Sequence, residues 1–234
     1  MVQAHPNKKS NKQARYLKLQ EQVNASVRAD WVAEQARLKQ QLEEQDRFSW
    51  RLDRSDPSQT TLTRVAAVDI SYSKRNQKKA VAALVVLAFP SMEVLYEDFE
   101  LDTTAYPYIP GFLAFKEVPS YQILFDRLRR EKPELYPELV LVDGNGILHT
   151  RGFGCASHVG VLFDVPTVGV GKTVFYVDGI READVNALTE TELRQAGDSV
   201  PLVGLSGKTW GAALRATDQD PLPLIVSQGH RVSL

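Results

Sequence analysis

The chain holds 234 residues, 43% of them hydrophobic and 24% charged, the balance of a globular domain with a sizeable core, which excludes wholesale disorder. Its longest apolar run, Ala80–Pro90, falls far short of the ~18–20 residues that span a bilayer, and no apolar signal segment opens the sequence. A single cysteine, Cys155, cannot close an internal disulfide. Membrane spanning, secretion and a disulfide scaffold are thereby disfavoured, and the expected location is cytoplasmic, nuclear or both, the nucleolus included.

The net charge of −1 is unevenly spread: residues 1–20 carry Lys8, Lys9, Lys12, Arg15 and Lys18 and no acid, so the rest of the chain carries −6. An acidic body does not hold polyanions by bulk charge; it needs divalent cations or a local basic lining. Residues 1–24 read as a disordered basic tail, and 25–60 as an N-terminal helix with its linker. The helix is expected from Ala25 to Arg47, with Val27, Trp31, Val32, Leu38 and Leu42 at helical spacing. Residues 61–234 then form one α/β domain.

Three antiparallel strands are expected over 63–73, 80–90 and 93–101. An amphipathic helix follows over 117–132, with Pro119 in its first turn. A buried strand over 138–146 runs into a Gly turn, a helix spans 156–164, and a strand covers 166–173. A hairpin over 203–217 turns near Gly207-Lys208, and a last strand covers 222–230. Strands followed by βαβ units predict a central mixed sheet flanked by helices.

Two carboxylates end hydrophobic strands: Asp69 after "VAAV" and Asp143 after "LVLV". A charge there is costly unless paired or metal-bound. Either alone reads as a strand-end turn residue, but adjacent strands lie ~4.8 Å apart, so both could share a cation. Oxygen ligands suit Mg²⁺ or Mn²⁺, and no Cys/His cluster suggests zinc. Glu117, closing "PYIPGFLAFKE" just before the helix, is the third acid; its bland reading is a helix N-terminal acid. His149 and His230 sit at strand ends beside this candidate site, although a lone histidine is more often structural. Lys172 ends "PTVGVGK", where it could face phosphate. That string is not a Walker A loop, because the required first glycine is Pro166. In "PYIPGFLAF", Tyr108 is the residue expected to be exposed and to stack on a base.

Taken in order, "VAAVDISYS", "PYIPGFLAFKE", "LVLVDGNGILHTRGFGCASHVG", "PTVGVGK" and "GHRVSL" resemble the endonuclease V family over Leu62 to Leu234, with "DGNGILHTRGFG" closer to its eukaryotic branch. The resemblance implies a ribonuclease H-like fold and Mg²⁺-dependent cleavage, Mn²⁺ substituting, at the second phosphodiester 3′ to inosine. Its implied substrate is inosine-containing single-stranded RNA, cut by a monomer to leave 5′-phosphate ends. Alternatives are a deoxyinosine DNA-repair nuclease, a non-catalytic inosine-RNA reader and a structural module. By the same resemblance Asp69, Glu117 and Asp143 are metal ligands, Lys172 and His230 complete the catalytic set, and Tyr108 is a strand-separating wedge. Pro110, Gly111, Leu113, His149, Gly154, Cys155 and Gly171 line the base pocket. Gly171 replaces the Ala of many relatives, which implies a looser pocket wall. The chain also stops at Leu234, where relatives continue into another helix, which implies a truncated C-terminus.

Overall fold

The computed structural model describes residues 27–53, 55–73, 79–102, 109–220 and 222–234. The chain divides after Arg37 into two compact units, and the sheet, with every element beyond α1, belongs to Leu38–Leu234. Helix α1 covers 27–39, eight residues short of the expected Arg47. Its intended continuation has strong helix formers but spends its backbone elsewhere. Arg231 N donates to Glu43 O at 2.7 Å, Glu43 N to His230 Nδ1 at 3.2 Å, and Arg47 N to Arg231 O at 3.1 Å. Those tertiary bonds override a propensity worth only tenths of a kcal/mol per residue.

Eight strands form one mixed sheet in the order β3-β2-β1-β4-β5-β8-β7-β6. β1 (Arg64–Tyr72), β2 (Ala80–Ala88) and β3 (Val94–Asp102) make the antiparallel meander read from sequence. β4 (Leu139–Asp143) joins β1 in parallel and β5 (Thr167–Gly171) joins β4 likewise. β6 (Ser199–Val203) and β7 (Thr209–Leu214) form the expected hairpin, and β8 (Leu224–His230) lies antiparallel between β5 and β7.

Alternation along the strands explains where the helices pack. Val68, Leu84, Val140 and Val142 point to one face and are fully or almost fully buried there. They meet Tyr121, Leu124, Phe125 and Leu128 of α2 (Leu113–Glu131) and Val159 and Phe163 of α3 (Cys155–Phe163). Phe125 and Phe163 stack at 4.5 Å and join the two helices. A second cluster around Leu148, Leu202, Ala213 and Ile225 seats α4 (Glu182–Glu192), a helix that no sequence expectation covered. Its apolar pattern is weak: Val185 is its one buried residue.

α2 begins at Leu113, four residues earlier than expected, so Glu117 stands inside the helix and Pro119 lies beyond its first turn. "LAFK" contains nothing to stop a helix, and the chain reaches it from a Gly111 turn with φ +83.

Candidate active site

Asp143 ends β4 as expected, whereas β1 continues three residues past Asp69 to Tyr72, paired with β2; the two acids stand just beyond the end of the β1–β4 ladder. Val68 pairs with Val142 in the last step of the β1–β4 register, and Asp69 and Asp143 come next on their strands. The valines face the helices, so the carboxylates emerge on the other face: Asp69 is exposed and the Asp143 side chain 39% exposed. Burial raises the Asp143 carboxyl above its ordinary range; Lys172 opposes that shift and the neighbouring Asp69 carboxylate adds to it. Lys172 follows β5 directly, and its Nζ stands 3.4 Å from Asp143 Oδ2.

Glu117 approaches from α2 and is 5% exposed. Tyr72 Oη donates to its Oε1 at 3.3 Å, and Tyr121 Oη, one helical turn on, donates to its Oε2 at 3.2 Å. Burial pushes its pKa up to about 8, the two phenols pull it down, and Asp143 and Asp69 raise it further as like charges. Lys116 Nζ lies 3.8 Å above the Tyr72 ring and braces that phenol. Neither tyrosine was singled out for chemistry in the sequence, although Tyr121 stands four residues beyond Glu117 and so on its helix face.

Among the described residues no three His, Cys, Asp or Glu side chains converge closely enough to enclose a metal ion. The donor chemistry nonetheless fits a hard divalent cation. Asp69 and Asp143 present oxygens side by side, and Glu117 and Asp143 both have carboxyl groups raised in part by neighbouring acids, a strain that a cation relieves.

The histidines are not brought to these acids. His230 pairs with Thr167 at the start of β5, whereas Asp143 pairs with Val170 near its end. Because β8 runs antiparallel to β5, the strand end holding His230 lies at the opposite pole of the sheet. There it is 3% exposed, accepts from Glu43 N, and has Arg231, Glu43, Asp164 and Arg47 as its charged neighbours. His149, 3% exposed, lies beside Gly111, its Nε2 3.1 Å from the Gly111 carbonyl.

The residues assigned to a base pocket largely gather at the α2 and α3 N-termini. A Cβ on Gly144 would meet Cys155 Cβ at 3.1 Å and Leu113 Cδ2 at 3.5 Å. Gly154 caps α3, and a side chain there would come within 2.2 Å of the Asn145 carbonyl, so glycine is required. Cys155 is buried, which pushes its thiol pKa well up. Pro110 is exposed in the turn before α2. At Gly171 a methyl group would stand 2.7 Å from Asn145 Oδ1, so the Asn145 carboxamide occupies the space beside this glycine. Tyr108 lies outside the described residues, as does the basic tail.

A family model described as Endonuclease V matches residues 46–234. Endonuclease V of Homo sapiens is 47% identical over 207 residues, covering 87% of this chain and 71% of that protein. Endonuclease V of Mus musculus is 45% identical over 204 residues, again 87% of this chain but 60% of the mouse protein. The chain therefore spans three fifths of the mouse relative's length. The crystal structure of the catalytic domain of human Endonuclease V superposes with a TM-score of 0.82 at 45% identity, covering 89% of this chain and 84% of that one. Endonuclease V of Ciona intestinalis, solved with a 23mer DNA containing an inosine followed by a ribo-adenosine, gives 0.79 at 30% identity, covering 89% and 85%.

Proposed function

This chain belongs to the endonuclease V family and has its ribonuclease H-like fold, and from that premise we propose that it is a Mg²⁺-dependent endonuclease acting on inosine-containing single-stranded RNA. It cuts the second phosphodiester 3′ to inosine, works as a monomer in the cytoplasm or nucleus, and accepts Mn²⁺ in place of Mg²⁺. The observation that carries the reading is the side-by-side placement of Asp69 and Asp143 just beyond the end of the parallel β1–β4 ladder, with Lys172 3.4 Å from Asp143.

Asp69 and Asp143 would hold the cation, with Glu117 as the third oxygen donor. A bound divalent cation supplies charge neutralisation at the phosphate and lowers the pKa of an attacking water. The side chains do the rest. Lys172 Nζ reduces the negative charge that a phosphate would meet at Asp143. Glu117, with a pKa of about 8, keeps its proton at neutral pH when no cation is near, which limits repulsion among the three acids. Attack by water and not by the 2′-hydroxyl leaves a 3′-hydroxyl and a 5′-phosphate. Tyr108 fills the stack that the extruded base vacates, at a gain of ~1–3 kcal/mol.

The test is cleavage of end-labelled inosine RNA with and without Mg²⁺, mapped to single nucleotides beside a matched deoxyinosine DNA. Cutting directly 3′ of the inosine's 3′ neighbour, in RNA and only with the cation, is the expected result. Faster cutting of the DNA moves the assignment to the second reading, a deoxyinosine DNA nuclease, which the inosine-containing DNA bound by the Ciona relative supports. Binding without cutting of either strand would mark a reader and sink the enzyme assignment.

A further inference from the structure

Arg151 takes no part in the acid cluster, yet it grips the backbone of the segment that leads into α2. We propose that Arg151 is a positioning residue for base selectivity: together with His149 it occupies the Gly111 carbonyl and so fixes one wall of the base pocket. The inference rests on the inosine reading above.

The grip is double. Arg151 Nη2 donates to the Gly111 carbonyl at 2.5 Å, and His149 Nε2 reaches the same oxygen at 3.1 Å. The tautomer that makes His149 a donor is set by Arg151 itself, whose backbone N–H donates to His149 Nδ1 at 3.2 Å. Burial depresses the His149 pKa to about 4, so the ring stays neutral and keeps that division of roles at neutral pH. A carbonyl oxygen has two lone pairs, and both are engaged.

Both ends of Arg151 are held. Its guanidinium lies 4.2 Å from the centre of the Phe112 ring, and its carbonyl accepts from Lys39 Nζ at 2.6 Å. Gly111 makes the approach possible, since a Cβ there would stand 2.9 Å from Arg151 Nη2 and its φ of +83 disfavours any side chain.

The Gly111 carbonyl is therefore committed to the protein and contributes position, not a hydrogen bond to the base. Position decides selectivity here, because guanine differs from hypoxanthine by one 2-amino group. A wall held by two hydrogen bonds refuses that group, whereas a loosened wall admits it. Leu113, two residues on, places its Cδ2 beside Gly144.

The full chain and its Arg151→Ala, Arg151→Lys and Gly111→Ala variants would be compared on matched inosine and guanosine single-stranded RNAs. Affinity is read by fluorescence anisotropy in EDTA, kcat and KM by cleavage in Mg²⁺, and folding by Tm. The inosine-to-guanosine affinity ratio should fall about tenfold in Arg151→Ala, the scale of one charge-assisted hydrogen bond. Most of the loss should come from better guanosine binding. Arg151→Lys, which keeps a cationic donor but not the planar guanidinium, should recover part of the ratio, and Gly111→Ala should lower it by displacing the guanidinium. An unchanged ratio in Arg151→Ala with a lowered Tm makes Arg151 a structural brace and overturns the proposal. Should Arg151→Ala fail to fold, an unchanged ratio in Gly111→Ala overturns it instead. Equal binding of both RNAs by the unmodified chain would reject the underlying inosine reading and this inference with it, a failure visible before any substitution.

Discussion

Asp69 and Asp143 occupy adjacent parallel strands one residue beyond the Val68–Val142 pair, so the same register step that buries two valines presents two carboxylates on the opposite face. The strands are ~4.8 Å apart, close enough for each charge to destabilise the other in the absence of a cation. The pair is held by the sheet and not by flexible loops, which fixes it before any ligand arrives.

Asp143→Asn keeps the shape and removes one of these charges. Cleavage of inosine RNA should drop at least about a hundredfold, and Mn²⁺ affinity should fall with it, while RNA binding largely survives. Isothermal titration with Mn²⁺ beside the cleavage assay checks both. Near-normal turnover in saturating Mg²⁺ would remove Asp143 from the site.

Glu117 makes the cation-free protein less stable as pH rises. Below pH 4.5 its carboxyl is protonated in both folded and unfolded chains; between there and about 8 the unfolded chain releases a proton that the fold retains. Stability contributed at low pH is thus lost progressively across that window. Urea unfolding in EDTA at several pH values should show this decline, and Glu117→Gln should flatten it. Parallel pH profiles for both proteins would contradict the burial argument.

Tyr121→Phe removes one of the two phenol donors that lower the Glu117 pKa, without changing the buried shape. The Glu117 carboxyl should then ionise at still higher pH. Mn²⁺ binding, followed as a function of pH, should develop later on the alkaline side than in the unmodified chain. A fall in Tm with an unaltered binding profile would confine Tyr121 to packing.

His230→Ala should act on stability alone. The substitution strands the Glu43 N–H and opens a cavity beneath α3, at a cost of about 1–3 kcal/mol. Mn²⁺ affinity should stay where it was, since the residue stands at the far pole of β5. A loss of cation binding with little change in Tm would return His230 to the catalytic set.

Local pattern determined much of this molecule. Alternating β-branched and small apolar residues made β1 to β5 readable, because strand burial repeats every second residue, and a charge ending such a run stands out by its desolvation cost. The ordered motif strings carried the family. Tertiary structure decided what depends on strand direction and on contacts between distant segments. The antiparallel course of β8 sends His230 away from Asp143, which its place after a strand did not reveal. Backbone bonding to Arg231 and His230 ends α1 early against the helix preference of 42–47. Burial beside Tyr72 and Tyr121 turns Glu117 from a helix-terminal acid into a carboxyl with a pKa of about 8. Arg151 meets Gly111 across forty residues of chain, a hydrogen bond that only folding could close.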